Sequence, residues 1–443
     1  MRKIVALLSA GVLFTACSEE SVSTTPQNNG MTFSNDSKGK LEIVNETFTI
    51  GKGKANAQTY ILRAIASAPV VNNVPTNCTS VSVNGSFGPA GTGDIYATWH
   101  TVGVDHGGAI SGYNYDLSKA DETIMSFTGE LRFPTVDFHD ATLNPANDRI
   151  YYVGQRDVND GFYPEEVLSS IVSTSPLSTG DHQGAVAGYI TLDGAGDIVN
   201  TSVFEEKWLN GFGANGIAQH DGNAGGEFYE VVTGDNQGAV YRLGSDLKTS
   251  GSDSLLGVPD GEYVTTIQGS FLSVFQGNTA GGSPSSNLVT YNQSNFVNNR
   301  NVAAAPNHNV VNLGAMSTVE VERNAIAPYL AAGSSYILIA NGDGITSVKD
   351  PALASASVTK LVSGIGGQSR GVASDEGNKL VYLANGEGGM FVLEGPDGAT
   401  PGDVMGAYNR NLTIDAKDVF TDGNNDFLFI SDANGKLYII EKQ

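Results

Sequence analysis

Two acid–imidazole pairs stand beside glycines in this chain: Asp105–His106 in VDHGGAISGY and Asp181–His182 in DHQGAVAGY. A carboxylate that orients an imidazole is a general acid–base arrangement. The same phrase returns as DNQGAVYRL from Asp235, without the histidine, and the matching corner at Gly342–Asp343 has none either. A position that recurs while its chemistry changes is punctuation, so His106 and His182 are read as hairpin-corner residues. Gly108 and Gly184 follow them as the glycines of those corners.

Other chemistries leave no signature. There is no G-x-S-x-G elbow, no HExxH and no CxxC. The two tryptophans, Trp99 and Trp208, stand in no Ser-x-Asp-x-Gly-x-x-Trp box, and no Gly-His…Trp-Asp pairing occurs. The stretch Asp157–Val158–Asn159–Asp160–Gly161 approaches a calcium loop but is one residue short of D-x-[DN]-x-[DN]-G. The expectation is a protein without a cofactor, with Ca2+ at that loop the single exception.

Seven times the chain writes a short strand, a turn, an apolar strand, a Gly-rich corner and a second apolar strand. KLVYLANGEGGMFVLEG (Lys379 to Gly395) and DFLFISDANGKLYIIEK (Asp426 to Lys442) show it best. NGDG, NGEGG and DANG are hairpin signals, because Gly and Asn take positive φ at little cost. The corners fall near Gly108, Gly184, Gly238, Ser286, Gly344, Gly388 and Gly435, roughly 45 to 75 residues apart. That period, in short strands, predicts an all-β, seven-bladed β-propeller. An apolar run buried on both faces suits a middle blade strand. PEEVLSSIV (Pro164 to Val172) is the one segment with helical character.

Each hairpin has a strand before it: HDATLNP from His139, NGIAQHD from Asn215, NAIAPYL from Asn324, RGVASDE from Arg370 and KDVFTD from Lys417. These are read as inner strands facing a central channel. Alignment of their starts puts His139, Asp140, Asn215, Asn324, Arg370, Lys417 and Asp418 around one mouth, the candidate ligand site. The last copy lacks an outer strand. Leu41 to Ile50 or Thr59 to Ile65 is expected to supply it, so that an N-terminal strand closes the ring.

The unit K-D-V-F-T-D…F-L-F-I-S-D-A-N-G-K-L-Y-I-I-E resembles the LVIVD-type propeller repeat and, less closely, YVTN-type blades. The resemblance covers Asn324 to the C-terminus well and the first half poorly. It implies fold rather than activity.

MRKIVALLSAGVLFTA has a basic start, a short apolar core and small residues at its end, the pattern of a secretory signal peptide over residues 1–16. LFTAC resembles a bacterial lipobox, which implies acylation of Cys17. The following Ser-Glu-Glu resembles the surface-export signal of Bacteroidetes lipoproteins, which implies the outer face of the outer membrane. Residues 17–38 read as the lipidated cysteine and a polar tether, and 39–443 as the propeller. Cys78 then has no partner in the chain and reads as a small buried hydrophobe. Loss of the leader removes Arg2 and Lys3 and no acid, making the mature chain more negative than the −23 of the whole sequence. Such a surface repels nucleic acid. The expectation is an outer-membrane-anchored binding or scaffold module with a protein or glycan partner. The alternative is a lactonase-like or lyase-like enzyme at the channel mouth, with His139 as acid/base and Arg370 as anion clamp.

Overall fold

The structure is a computed structural model. It describes residues 31–51, 57–85, 90–103, 106–119, 121–157, 184–209, 211, 213–221, 227–234, 239–247, 255–257, 261–267, 271–276, 286–292, 308–314, 326–366, 368–422 and 426–443. Cys17, Asp105, Asp181, His182, Asn324, the loop Val158 to Gly161 and the helical segment 164–172 lie outside them.

Seven antiparallel sheets form a β-propeller. Blade 1 contains Val74–Gly85, Thr92–Thr101, Gly108–Asp116 and Met125–Phe133 from the inside out, and blade 2 contains Val136–Asn144, Arg149–Arg156, Ala185–Thr191 and Phe204–Trp208. Blades 3 to 6 have inner strands Ala214–Asp221, Gly261–Ile267, Ile326–Ala331 and Val372–Asp375. Blade 7 begins with Ala416–Thr421, Phe427–Asp432 and Lys436–Lys442. All seven predicted hairpins are the two middle strands of a blade. The inner strands of blades 1 and 4 are additions to the five recognised in the sequence.

Blade 7 resolves the choice between the two N-terminal segments by using both. Gln58–Ser67 pairs antiparallel with Lys436–Lys442 as the fourth strand, and Leu41–Ile50 pairs with Gln58–Ser67 as a fifth. The tether is also shorter than its composition implied. Thr32–Ser34 pairs with the outer strand of blade 1, Thr32 facing Arg132 and Ser34 facing Glu130. A three-residue strand amid polar residues has no periodicity to betray it.

The core is divided into seven apolar clusters, one at each seam between blades. Period-two alternation produces this division. In Phe427–Asp432, Phe427 and Phe429 pack toward blade 1, whereas Leu428 and Ile430 pack toward blade 6. Lys436–Lys442 repeats the alternation with Leu437 and Ile439 against Tyr438 and Ile440. Both faces of a middle strand are therefore core, which is why these strands are apolar without interruption. Cys78 is buried in the blade 7–blade 1 seam. Burial, followed by the negative charge of Asp418, pushes its thiol well above the usual range.

Two corner glycines prove to be constrained differently. Gly184 has φ +102°, and a Cβ there would lie 2.5 Å from the Arg156 carbonyl oxygen. Gly108 was expected at positive φ but has no left-handed backbone. Its constraint is steric, since a Cβ would lie 2.5 Å from the Trp99 carbonyl oxygen and 2.6 Å from Phe138 Cδ2. Gly194 has open space around it. Gly184→Val should therefore lower stability by about 1–3 kcal/mol, while Gly194→Ala stays within about 0.5 kcal/mol. Urea denaturation of the two variants beside wild type checks the difference.

Candidate functional site: the central channel

An inner strand has a blade partner on one side only, so its other edge presents unpaired backbone groups to the channel. All seven inner strands line one central cavity of about 480 Å3. Val81, Ile217, Val264, Ile326, Val372 and Val419 border it at equivalent levels in six blades, with their side chains packed into the adjoining seams. Hydroxyl and amide groups from Ser80, Thr142, Gln219, Thr265, Ser374 and Thr421 are interspersed. Two carboxylates, Asp140 and Glu376, complete the polar lining.

These polar groups reach across seams. Asp140 Oδ2 accepts the Ile217 N–H of blade 3 at 3.1 Å, and Glu376 Oε1 accepts the Leu330 N–H of blade 5 at 2.8 Å. Ser80 donates to the Ala141 carbonyl at 3.0 Å, and Ser374 to the Pro328 carbonyl at 2.7 Å. Ser431 donates to the Cys78 carbonyl at 2.9 Å, joining blades 7 and 1. Burial, more than the neighbouring Asp375, raises the Glu376 carboxyl above the usual range, and the Leu330 N–H opposes that rise. Glu376 was within reach of sequence reasoning as the last residue of RGVASDE, but attention to strand starts passed over a strand end.

Of the residues predicted at the mouth, Asp140 lies in the cavity wall. Three of the rest share one feature: His139, Asn215 and Lys417 are extra residues in β-bulges. Asp140 faces Val153 and Phe138 faces Gly154, leaving His139 between them. Asn215 and Lys417 stand likewise between Ala214 and Gly216, and between Ala416 and Asp418. Arg370 and Gly371 together face Ala384, an equivalent arrangement. The alignment of these positions in the sequence was right, but a bulge re-aims its side chain. For His139, Asn215 and Arg370 the re-aiming is into the seams.

His139 is 5% exposed, with Nδ1 3.3 Å from Asn215 Oδ1 of blade 3. Arg370 Nη1 donates to Asp415 Oδ1 at 3.3 Å, and its Nε donates to Gln368 at 3.1 Å. Asp418 is buried beside Gly371, where an added Cβ would collide with its Oδ1. His139 thus sits at the seam of blades 2 and 3 and Arg370 at that of blades 6 and 7. The joint acid/base and anion-clamp arrangement is not assembled.

His106 does occupy the corner between the middle strands of blade 1, and it also fastens that corner to blade 2. Its Nδ1 is 3.1 Å from Asp137 Oδ2, while Asp137 Oδ1 accepts from Gly107 N and Thr101 Oγ1, both at 3.1 Å. Asp137, unremarked in the sequence, is the hub of this contact. Among the described residues no group of three or more metal-ligating side chains is present.

A second cavity of about 350 Å3 opens at the opposite end of blade 1, beside Asp94, Asn114 and Asp116. Burial, then Asp197 and Asp193, push the Asp94 carboxyl up to about 6. Because this exceeds an unfolded value of about 3.9, the folded state binds the proton more tightly. Stability is therefore gained as pH falls through about 6 toward about 4 and is lost as pH rises through 6. Asp94→Asn should raise the melting temperature at pH 7.5 and flatten the profile between pH 4 and 6. Parallel pH-resolved melts of variant and wild type provide the check.

No family model and no curated protein matches this chain. Among solved structures it is similar to that titled "Crystal structure of Chaetomium thermophilum Raptor", at 9% identity with a TM-score of 0.49. The match covers 86% of this chain and 28% of that one, and it carries no functional argument.

Proposed function

We propose that this propeller is a binding or scaffold module, anchored to the outer membrane through an acylated Cys17 and displayed on the cell surface. The β-propeller fold supports such a module in general terms. The observation that carries the reading is the state of the polar groups in the channel and in the seams beside it. His139 and Asp140 hold blade 3 at one seam, Glu376 holds blade 5 at a second, and Arg370 holds Asp415 at the entry to blade 7, at a third. Groups so committed shape a surface; they do not converge on one reacting atom.

The partner on this reading is a protein or a glycan, and nucleic acid is no part of it, given the acidic excess of the chain. The aliphatic side chains exposed at one end of blades 4 and 5, Val310, Leu353 and Val358, favour a protein. Small molecules would enter the 480 Å3 cavity, whose hydroxyl, amide and carboxylate groups suit a compact, polar ligand. Calcium, where present, would sit at the loop Asp157 to Gly161.

Two measurements test the parts separately. Cys17→Ser should give a protein of unchanged fold, without acyl mass, in the soluble fraction. Membrane partitioning of that variant would defeat the anchor. For the cavity, ligands found by thermal shift with wild type should lose their effect in Ala218→Leu, which narrows the channel. Ligands acting equally on both would place binding elsewhere.

A further inference from the structure

The polar stretch before the first strand joins the propeller at a defined place. Thr32–Ser34 runs antiparallel to Met125–Phe133, with Thr32 opposite Arg132, so its first residue lies at the Phe133 end. Phe133 leads directly into Val136, the start of the blade 2 inner strand. Met31 is buried in the same apolar cluster as Phe133, Val136 and Phe138. The chain from Cys17 therefore reaches the rim of blade 1 on the face where inner strands begin. Fourteen residues extend at most about 50 Å and as a coil average about 20 Å.

That face carries exposed aliphatic side chains near the attachment. Val70 is 54% exposed and pairs with Pro75, and Val102 is 46% exposed with its N–H on the Pro75 carbonyl at 3.2 Å. On the connection entering blade 7, Leu412 is 88% exposed with φ +58°. A bulky side chain held in a left-handed conformation and in water gains nothing from folding. Other exposed aliphatics, Val310, Leu353 and Val358, belong to the opposite ends of blades 4 and 5, away from the attachment.

We propose that the strand-start face lies against the lipid surface, with Val70, Val102 and Leu412 dipping into it. This rests on the anchored reading above. The occupant is an uncharged or zwitterionic lipid surface, because the acidic chain repels anionic headgroups. The short tether holds these weak contacts at high effective concentration.

The test uses the mature acylated protein on phosphatidylcholine vesicles containing doxyl-labelled lipid. A fluorophore is attached at Val102→Cys, Leu412→Cys or Leu353→Cys; Cys78 is buried and stays unlabelled. Probes at 102 and 412 should lose most of their emission, while that at 353 retains it. Adding Leu412→Asp should abolish the loss at 102. Equal quenching at all three positions, or quenching at 353 alone, overturns the proposal. A second arm replaces the acyl anchor by a hexahistidine segment at residue 17 on nickel-chelating phosphatidylcholine vesicles. Absence of acyl mass on Cys17 would fail the anchored reading alone, because the quenching pattern in this arm still decides the orientation.

Discussion

An innermost strand with one unpaired edge is the constraint on which this molecule depends. Seven such edges meet around the channel, and each exposes N–H and C=O groups that no strand satisfies. Side chains from the neighbouring blade take up part of that demand: Asp140 for Ile217, Ser80 for Ala141, Ser374 for Pro328 and Glu376 for Leu330. Polar residues near the axis are thus first a structural necessity. Any ligand in the cavity meets groups whose orientation has already been set by a neighbouring backbone.

The seams outside this axis are held by burial. Strands whose alternate residues serve two different clusters, such as Phe427–Asp432, make each blade a wedge between its neighbours. Fully burying one such side chain contributes about 1.5–3 kcal/mol, so loss of a blade deprives two seams at once. A charge supplements the blade 6–blade 7 seam, where Lys442 is bonded to Asp375, a carboxylate with no exposed surface. Asn378 donates to the same carboxylate through its backbone at 3.0 Å. A buried pair of this kind holds register, since leaving either partner alone is costly.

The sequence made the middle hairpins legible because their two requirements, continuous apolar strands and Gly or Asn corners, are both written in residue type. The inner strands of blades 1 and 4 were not legible. Val74–Gly85 contains Pro75, Asn77 and four Ser or Thr residues, and its burial comes from neighbours distant in sequence. The shared position of His139, Asn215, Arg370 and Lys417 was legible in the sequence, whereas the bulges that hold them were not. A bulge is a count of residues against a partner strand, and pairing register is invisible in one strand read alone. Asp137 was missed for a related reason: its importance lies in His106 and Thr101 of another blade.

Blade 7 joins Gln58–Ser67 to Lys436–Lys442, residues nearly a whole chain length apart. In kinetic terms this pairing carries the largest loop-closure entropy in the molecule, although that cost grows only with the logarithm of the loop. Order of synthesis makes it weightier. The early strands must wait, unpaired along one edge, until the last residues of the chain have been made. A high proportion of such distant contacts slows folding. The seam clusters within residues 74–408 can assemble before that moment, so the ring is an almost complete arc whose final wedge arrives last. Until then the open arc exposes the apolar faces of blades 1 and 6, and the chain's excess of acid keeps neighbouring molecules apart.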